Sequence, residues 1–163
     1  MKWMKDFFIQ QKLSKKRTKP GNKRWVKFDQ VTNITILSEN EEMSTIAQKT
    51  VAGIWDHPLN ITFVYREKNP AYECYDYEDF NLLAKPKEKI RDILSKPTDL
   101  VLVTHPWMDP LTTHFLNLMD TVYSLGFYNP EHEKHLDLML ARTEEDLLEQ
   151  NLENLIKYFK KIN

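Results

Sequence analysis

The sequence predicts an α/β protein: a three-layer, mostly parallel sheet of Rossmann-like shape, carrying a basic helical arm at its N-terminus. Three observations lead there. Short β-branched runs alternate with amphipathic stretches. One run, Asp99 to Thr104 (DLVLVT), is continuously apolar, as a central strand covered on both faces must be. Lys and Arg also crowd into the first twenty-eight residues, which hold ten cations against one acid, while the rest holds thirteen against twenty-three. A net charge of −1 therefore conceals a basic arm on an acidic body, and we divide the chain into an arm, 1–28, and an α/β domain, 29–163.

Lys2 to about Arg17 contains no Gly or Pro and reads as a basic helix, with Trp3, Met4, Phe7 and Phe8 on one side and Lys5, Lys12 and Lys16 on another. Pro20-Gly21-Asn22 breaks it. Val31 to Leu37 is β-branched and reads as the first strand. Ser38 with Glu41 forms a capping-box pattern for a helix from about Met43 to Ile54, burying Ile46, Ala47, Val51 and Ile54. Asp56-His57-Pro58 ends it, and Asn60 to Arg66 is the second strand. A short strand is expected near Cys74–Tyr77, then a helix from Pro86 to Ser95 with Ile90, Ile93 and Leu94 inward.

After the central strand, Asp109-Pro110 is a helix start, with Asp as cap and Pro at the first helical position. That helix carries Phe115, Leu118, Met119 and Val122 and ends before Gly126. Short strands follow at Gly126–Tyr128 and His135–Leu140. Thr143 to Asp146 caps a last helix bearing Leu147, Leu148, Leu152, Leu155, Ile156 and Phe159.

Glycine argues against nucleotide chemistry. The three glycines, Gly21, Gly53 and Gly126, are isolated, so neither a dinucleotide fingerprint nor a P-loop can be assembled. No GxSxG elbow, HExxH pair or EF-hand loop occurs, and no cofactor or metal is implied. The single Cys74 cannot form an internal disulfide, and its acidic neighbours Glu73 and Asp76 would raise a thiol pKa; we read it as structural. With no bilayer-length apolar run and no secretory signal, a cytoplasmic protein is expected.

Two regions carry candidate sites. Thr104 to Asp109 lies at the carboxyl end of the best strand, where open α/β sheets place ligands. His105 can serve there as a base, with Asp109 to orient it, Trp107 as an apolar wall and His114 within reach. The plainer alternative is a helix cap and a packed Trp. His132 and His135 stand three apart but read as a solvated loop rather than metal ligands. The second region is the arm, for which three readings stay open. Lys12, Lys15, Lys16, Arg17, Lys19, Lys23 and Arg24 can neutralise the phosphates of RNA or a ribonucleoprotein. Trp3, Met4, Phe7 and Phe8 can lie in a membrane surface. The same aromatic side can instead dock on the body or a partner. Tyr72, Tyr75, Tyr77 and Phe80 form an aromatic–acidic stretch suited to a partner protein or to a loop folded over the sheet.

The whole chain resembles an uncharacterised bacterial family of short proteins without assigned function. The resemblance rests on the lysine-rich N-terminal helix, the strand Asn33-Ile34-Thr35-Ile36-Leu37, the turn Lys85-Pro86-Lys87 and the buried strand opening at Asp99-Leu100-Val101-Leu102. His135 to Leu140 and a last helix closing in Ile162-Asn163 complete it. It implies a basic arm on an α/β body and brings no activity, substrate or catalytic residue. The leading expectation is thus a non-enzymatic interaction protein. A small-ligand or enzymatic pocket beside His105 is the alternative, and peripheral membrane association a second.

Overall fold

A computed structural model describes residues 1–15 and 25–163. Its centre is a five-stranded sheet in the order β2-β1-β3-β4-β5, formed by β1 (Asn33–Ser38), β2 (Asn60–Tyr65), β3 (Leu100–Val103), β4 (Tyr123–Phe127) and β5 (Leu138–Leu140). Every pairing is parallel. Parallel strands need crossovers; α2 (Glu41–Ile54), α3 (Glu88–Leu94) and α4 (Pro110–Leu118) supply the first three, and a 3-10 turn at Pro130–His132 lies in the last. α1 (Lys2–Leu13) and α5 (Leu148–Ile162) complete the two outer layers.

Alternation along β3 divides the core. Val101 and Val103 join Ile9, Ile90, Ile93, Leu111 and Phe115, so α1, α3 and α4 share one face. Leu100 and Leu102 join Ala47, Val51, Leu152, Leu155 and Phe159 on the α2/α5 face. A strand buried on both sides has no polar face to show, which is why its sequence is an unbroken apolar run.

Several boundaries move, each for a local reason. Ser38 ends β1 instead of capping α2, because its hydroxyl accepts from Thr104 Oγ1 at 3.1 Å across the strand ends. The cap is Asn40, whose Oδ1 accepts from the Met43 N–H. Of the face expected on α2, Ala47 and Val51 are buried, whereas Ile46 and Ile54 are only partly so. No strand forms at Cys74–Tyr77 beyond one bridge from Tyr65 to Cys74; residues Tyr77–Asp79 make a 3-10 turn. α4 stops at Leu118, well before Gly126, because Tyr123 donates to Asp99 O at 3.0 Å and pairs with β3. A helix cannot continue through residues committed to a ladder. α5 starts at Leu148, beyond Thr143–Asp146; Thr143 instead exchanges hydrogen bonds with the buried Asn151 side chain.

Gly126 earns its place by contact. A Cβ there would lie 2.7 Å from Leu136 Cδ1 and 3.5 Å from Val103 Cβ. Gly126→Ala is expected to cost about 1–3 kcal/mol through overpacking. The urea midpoint should fall at unchanged m; an unmoved midpoint would show that Leu136 gives way freely.

Candidate functional site

At the carboxyl end of the sheet, the expected pocket residues do not converge. His105 is buried and its Nε2 has no hydrogen-bond partner among the described residues. Burial lowers its pKa to about 4, with Asp109 opposing and His132 and Arg66 assisting. The imidazole is therefore neutral at pH 7. Asp109 does not orient it, because both carboxylate oxygens are engaged. One accepts from the Thr112 N–H at 2.7 Å as the α4 cap, and the other from Arg66 Nε at 3.0 Å. Burial alone would raise the Asp109 pKa, but Thr112 and Arg66 outweigh it and hold the group ionised.

Trp107 is 52% exposed rather than packed over the sheet, and donates to Glu131 Oε2 at 3.3 Å. His114 sits lower on α4, buried beside the Phe80 ring with Nε2 against Ala84 O at 2.8 Å. It belongs to the α1 interface and not to the His105 crevice. The loop reading of His132 and His135 as solvated is corrected too: both are buried, and His132 Nε2 accepts from the Met108 N–H at 3.1 Å. Tyr75 and Phe80 are fully buried, so they form a floor under α1 and α4 and no partner surface. Tyr72 is 40% exposed, and Tyr77 lies part-buried under α1.

The arm helix is docked. Ile9 is fully buried, with Phe8 and Leu13 packed on the same cluster. Lys5 Nζ donates to Tyr77 O at 2.7 Å and Lys12 Nζ to Ala84 O at 3.0 Å. These lysines lie on the docked side, satisfying carbonyls that α1 would otherwise strip of water. The expected aromatic face splits instead: Trp3 and Phe7 are 71% and 60% exposed, Met4 and Phe8 are partly buried. Lys12 stays exposed while giving one of its three donors to Ala84 O. Burial, then neighbouring Lys85, lowers its pKa.

α1 has a direction. Its first turns meet Tyr77, whose ring lies 5.9 Å from Arg66, the partner of the α4 cap; its last turn meets Ala84 O, shared with His114 in mid-α4. It therefore runs alongside α4 from the carboxyl end of the sheet to the amino end. At that amino end lies a groove of about 690 Å³. Among the described residues its walls are Leu94 to Thr98 before β3, Asp120 to Tyr123 before β4, and Phe159, Ile162 and Asn163 of α5.

Trp25 stands at this groove, 72% exposed, edge-on to Tyr123 with ring centroids 6.1 Å apart. Behind it the chain is fixed: Val26 O accepts from the Tyr123 hydroxyl at 2.9 Å, and Phe28 stacks on Trp55 at 4.4 Å in the α2/α5 layer. α1 thus packs on one face of the sheet, and Val26–Phe28 on the other. Lys15 is exposed; Lys16, Arg17, Lys19, Lys23 and Arg24 lie outside the described residues. Charge counting alone passes over Trp25, although a Trp directly after a Lys-Arg pair is a readable signal.

A family model matches residues 5–162, and its description is a family of unknown function. No curated protein and no solved structure matches the chain.

Proposed function

The chain belongs to this family, DUF6913, which carries no assigned function, and we propose that the protein is a non-enzymatic interaction protein binding RNA, or a ribonucleoprotein, through the basic stretch that precedes Trp25 in the sequence. The observation that supports this reading is the run of Lys and Arg leading in sequence to Trp25, whose ring stands exposed beside a groove. Lys15, Lys16, Arg17, Lys19, Lys23 and Arg24 supply the phosphate contacts. Against chemistry at the other end stand a His105 with no orienting partner and an Asp109 already spent on a cap and an ion pair. No described helix is long and apolar enough to cross a membrane. The single cysteine suits action in the cytoplasm.

A second reading has its own observation. Trp3 and Phe7, exposed one turn apart on the outside of α1, are placed to enter an anionic membrane surface. Salt titration with unrelated single-stranded RNAs tests the first reading. Four to six phosphate contacts give a log–log slope of roughly −3 to −4. Trp3→Ala with Phe7→Ala should leave RNA binding unchanged and abolish any binding to vesicles containing phosphatidylserine. No RNA affinity at low salt, together with vesicle binding that this pair removes, would replace the RNA reading with the membrane one.

A further inference from the structure

We infer that the groove at the amino end of the sheet accepts an unstacked guanine base of single-stranded RNA, with Trp25 as its stacking platform. This rests on the RNA-binding reading and adds what that reading lacks, a place where a base is read.

The groove has the size and the walls. Its volume of about 690 Å³ falls within the range of sites that enclose a nucleotide-sized ligand. Leu94, Pro97, Tyr123 and Phe159 line it with apolar and aromatic surface. Trp25 leaves most of its indole uncovered at the mouth. A base stacked on such a ring needs no Gly-rich loop, because every base offers a π-face.

Charge decides which end of the nucleotide enters. The groove carries the carboxylates Asp120 and Asp137, Asp137 accepting from Ser124 Oγ at 2.8 Å, while its lysine, Lys96, is paired with Glu73. A phosphate inside would meet them, so phosphates belong on the basic stretch that precedes Trp25, and the uncharged base belongs inside. Sequence order and groove polarity agree on this placement.

The free polar atoms decide which base. Asp120 is exposed and makes no hydrogen bond or ion pair among the described residues, and Asn163 Oδ1 is buried without a partner. Both are acceptors. Guanine alone presents two adjacent N–H donors on its Watson–Crick edge, which one carboxylate oxygen pair can accept together. Uracil sets its single donor between two carbonyls that a carboxylate repels. Adenine and cytosine each place a ring acceptor beside their amino group.

Two octanucleotides, all-uridine and uridine with one central guanosine, are titrated against the full chain at 50 mM salt. The guanosine strand should bind about tenfold tighter, in keeping with the worth of one bidentate base-edge pair. Trp25→Ala should remove that difference while leaving the salt slope in place, and Asp120→Asn should reduce the difference without removing affinity. Circular dichroism checks that both variants fold; Asp120→Asn, exposed and unpaired, serves if Trp25→Ala does not. Equal binding of the two strands by the wild type overturns the base site and leaves the phosphate reading standing, as does discrimination surviving in Trp25→Ala. If neither strand binds, guanosine 5′-monophosphate is titrated alone by equilibrium dialysis. Binding lost in Trp25→Ala would then keep the base site while the RNA reading falls; no binding would end both.

Discussion

Asp99→Ala is expected to destabilise the protein by about 3–4 kcal/mol, since a charged acceptor serving several donors is removed and backbone N–H groups are left unpaired. Asp99 Oδ2 accepts from the N–H groups of Thr32 and Asn33 at 3.1 and 2.9 Å, and from both of their side chains at 3.2 Å. It thereby fixes the entry of β1 against the entry of β3, the central pair of the sheet. Burial by itself would raise the pKa of this carboxyl, but the bonds from Asn33 and Thr32 outweigh it and hold the group below the ordinary carboxylate range. Asp99→Asn keeps an acceptor and should lose about half as much. Urea unfolding at pH 7 measures both; a loss under 1 kcal/mol for the alanine variant would mean that water replaces the carboxylate at little cost.

Mild acid is expected to cost roughly 3 kcal/mol through His105 alone, because each pKa unit of difference between folded and unfolded chains is worth about 1.4 kcal/mol. In the folded protein burial holds His105 neutral down to about pH 4, whereas the unfolded chain takes up the proton near pH 6.5. A folded-state pKa that is depressed for a base makes unfolding proton-consuming. Stability is therefore full above pH 6.5, falls as the pH drops, and the His105 contribution is exhausted near pH 4. His114 and His132, both lowered chiefly by burial, add to the same descent. Asp99 and Asp109 lose their contribution only below the ordinary carboxylate range, so the two effects occupy different pH windows. Denaturation midpoints should hold from pH 7.5 to about 6.5 and then fall down to pH 4.5. His105→Asn should shift stability at pH 7 by no more than about 1–2 kcal/mol and visibly flatten the descent. A wild-type profile flat over that range would show that His105 is not held neutral by the fold.

The elements were legible in the sequence to different degrees. Asp99–Thr104 announced itself because a strand buried on both faces has no polar residue to break the run. Asp109-Pro110 announced α4 because a cap and a proline at the first turn are local chemistry, and the cap bond to Thr112 is as expected. Ser38 misled because a capping pattern is short, and a hydroxyl at a strand end found Thr104 instead. The end of α4 misled because Tyr123 gains more from a ladder with β3 than from another helical turn, and β3 lies far back in the chain.

The candidate sites divide in the same way. The charge asymmetry, the missing glycine loops and the α/β alternation are properties of composition and period, and the sequence alone determined them. The tertiary structure decided that Ile9 and not Trp3 anchors α1, that Lys12 is tied to Ala84, that Arg66 takes the carboxylate offered to His105, and that Trp25 stands at a groove. Each of these is a contact between residues far apart in the chain. Hydrophobic period reports that a face is covered, and charge reports that a partner of opposite sign is wanted; neither says which distant residue arrives first. That choice belongs to the packing of layers, where a cation beside a carbonyl that docking strips of water turns to its own fold.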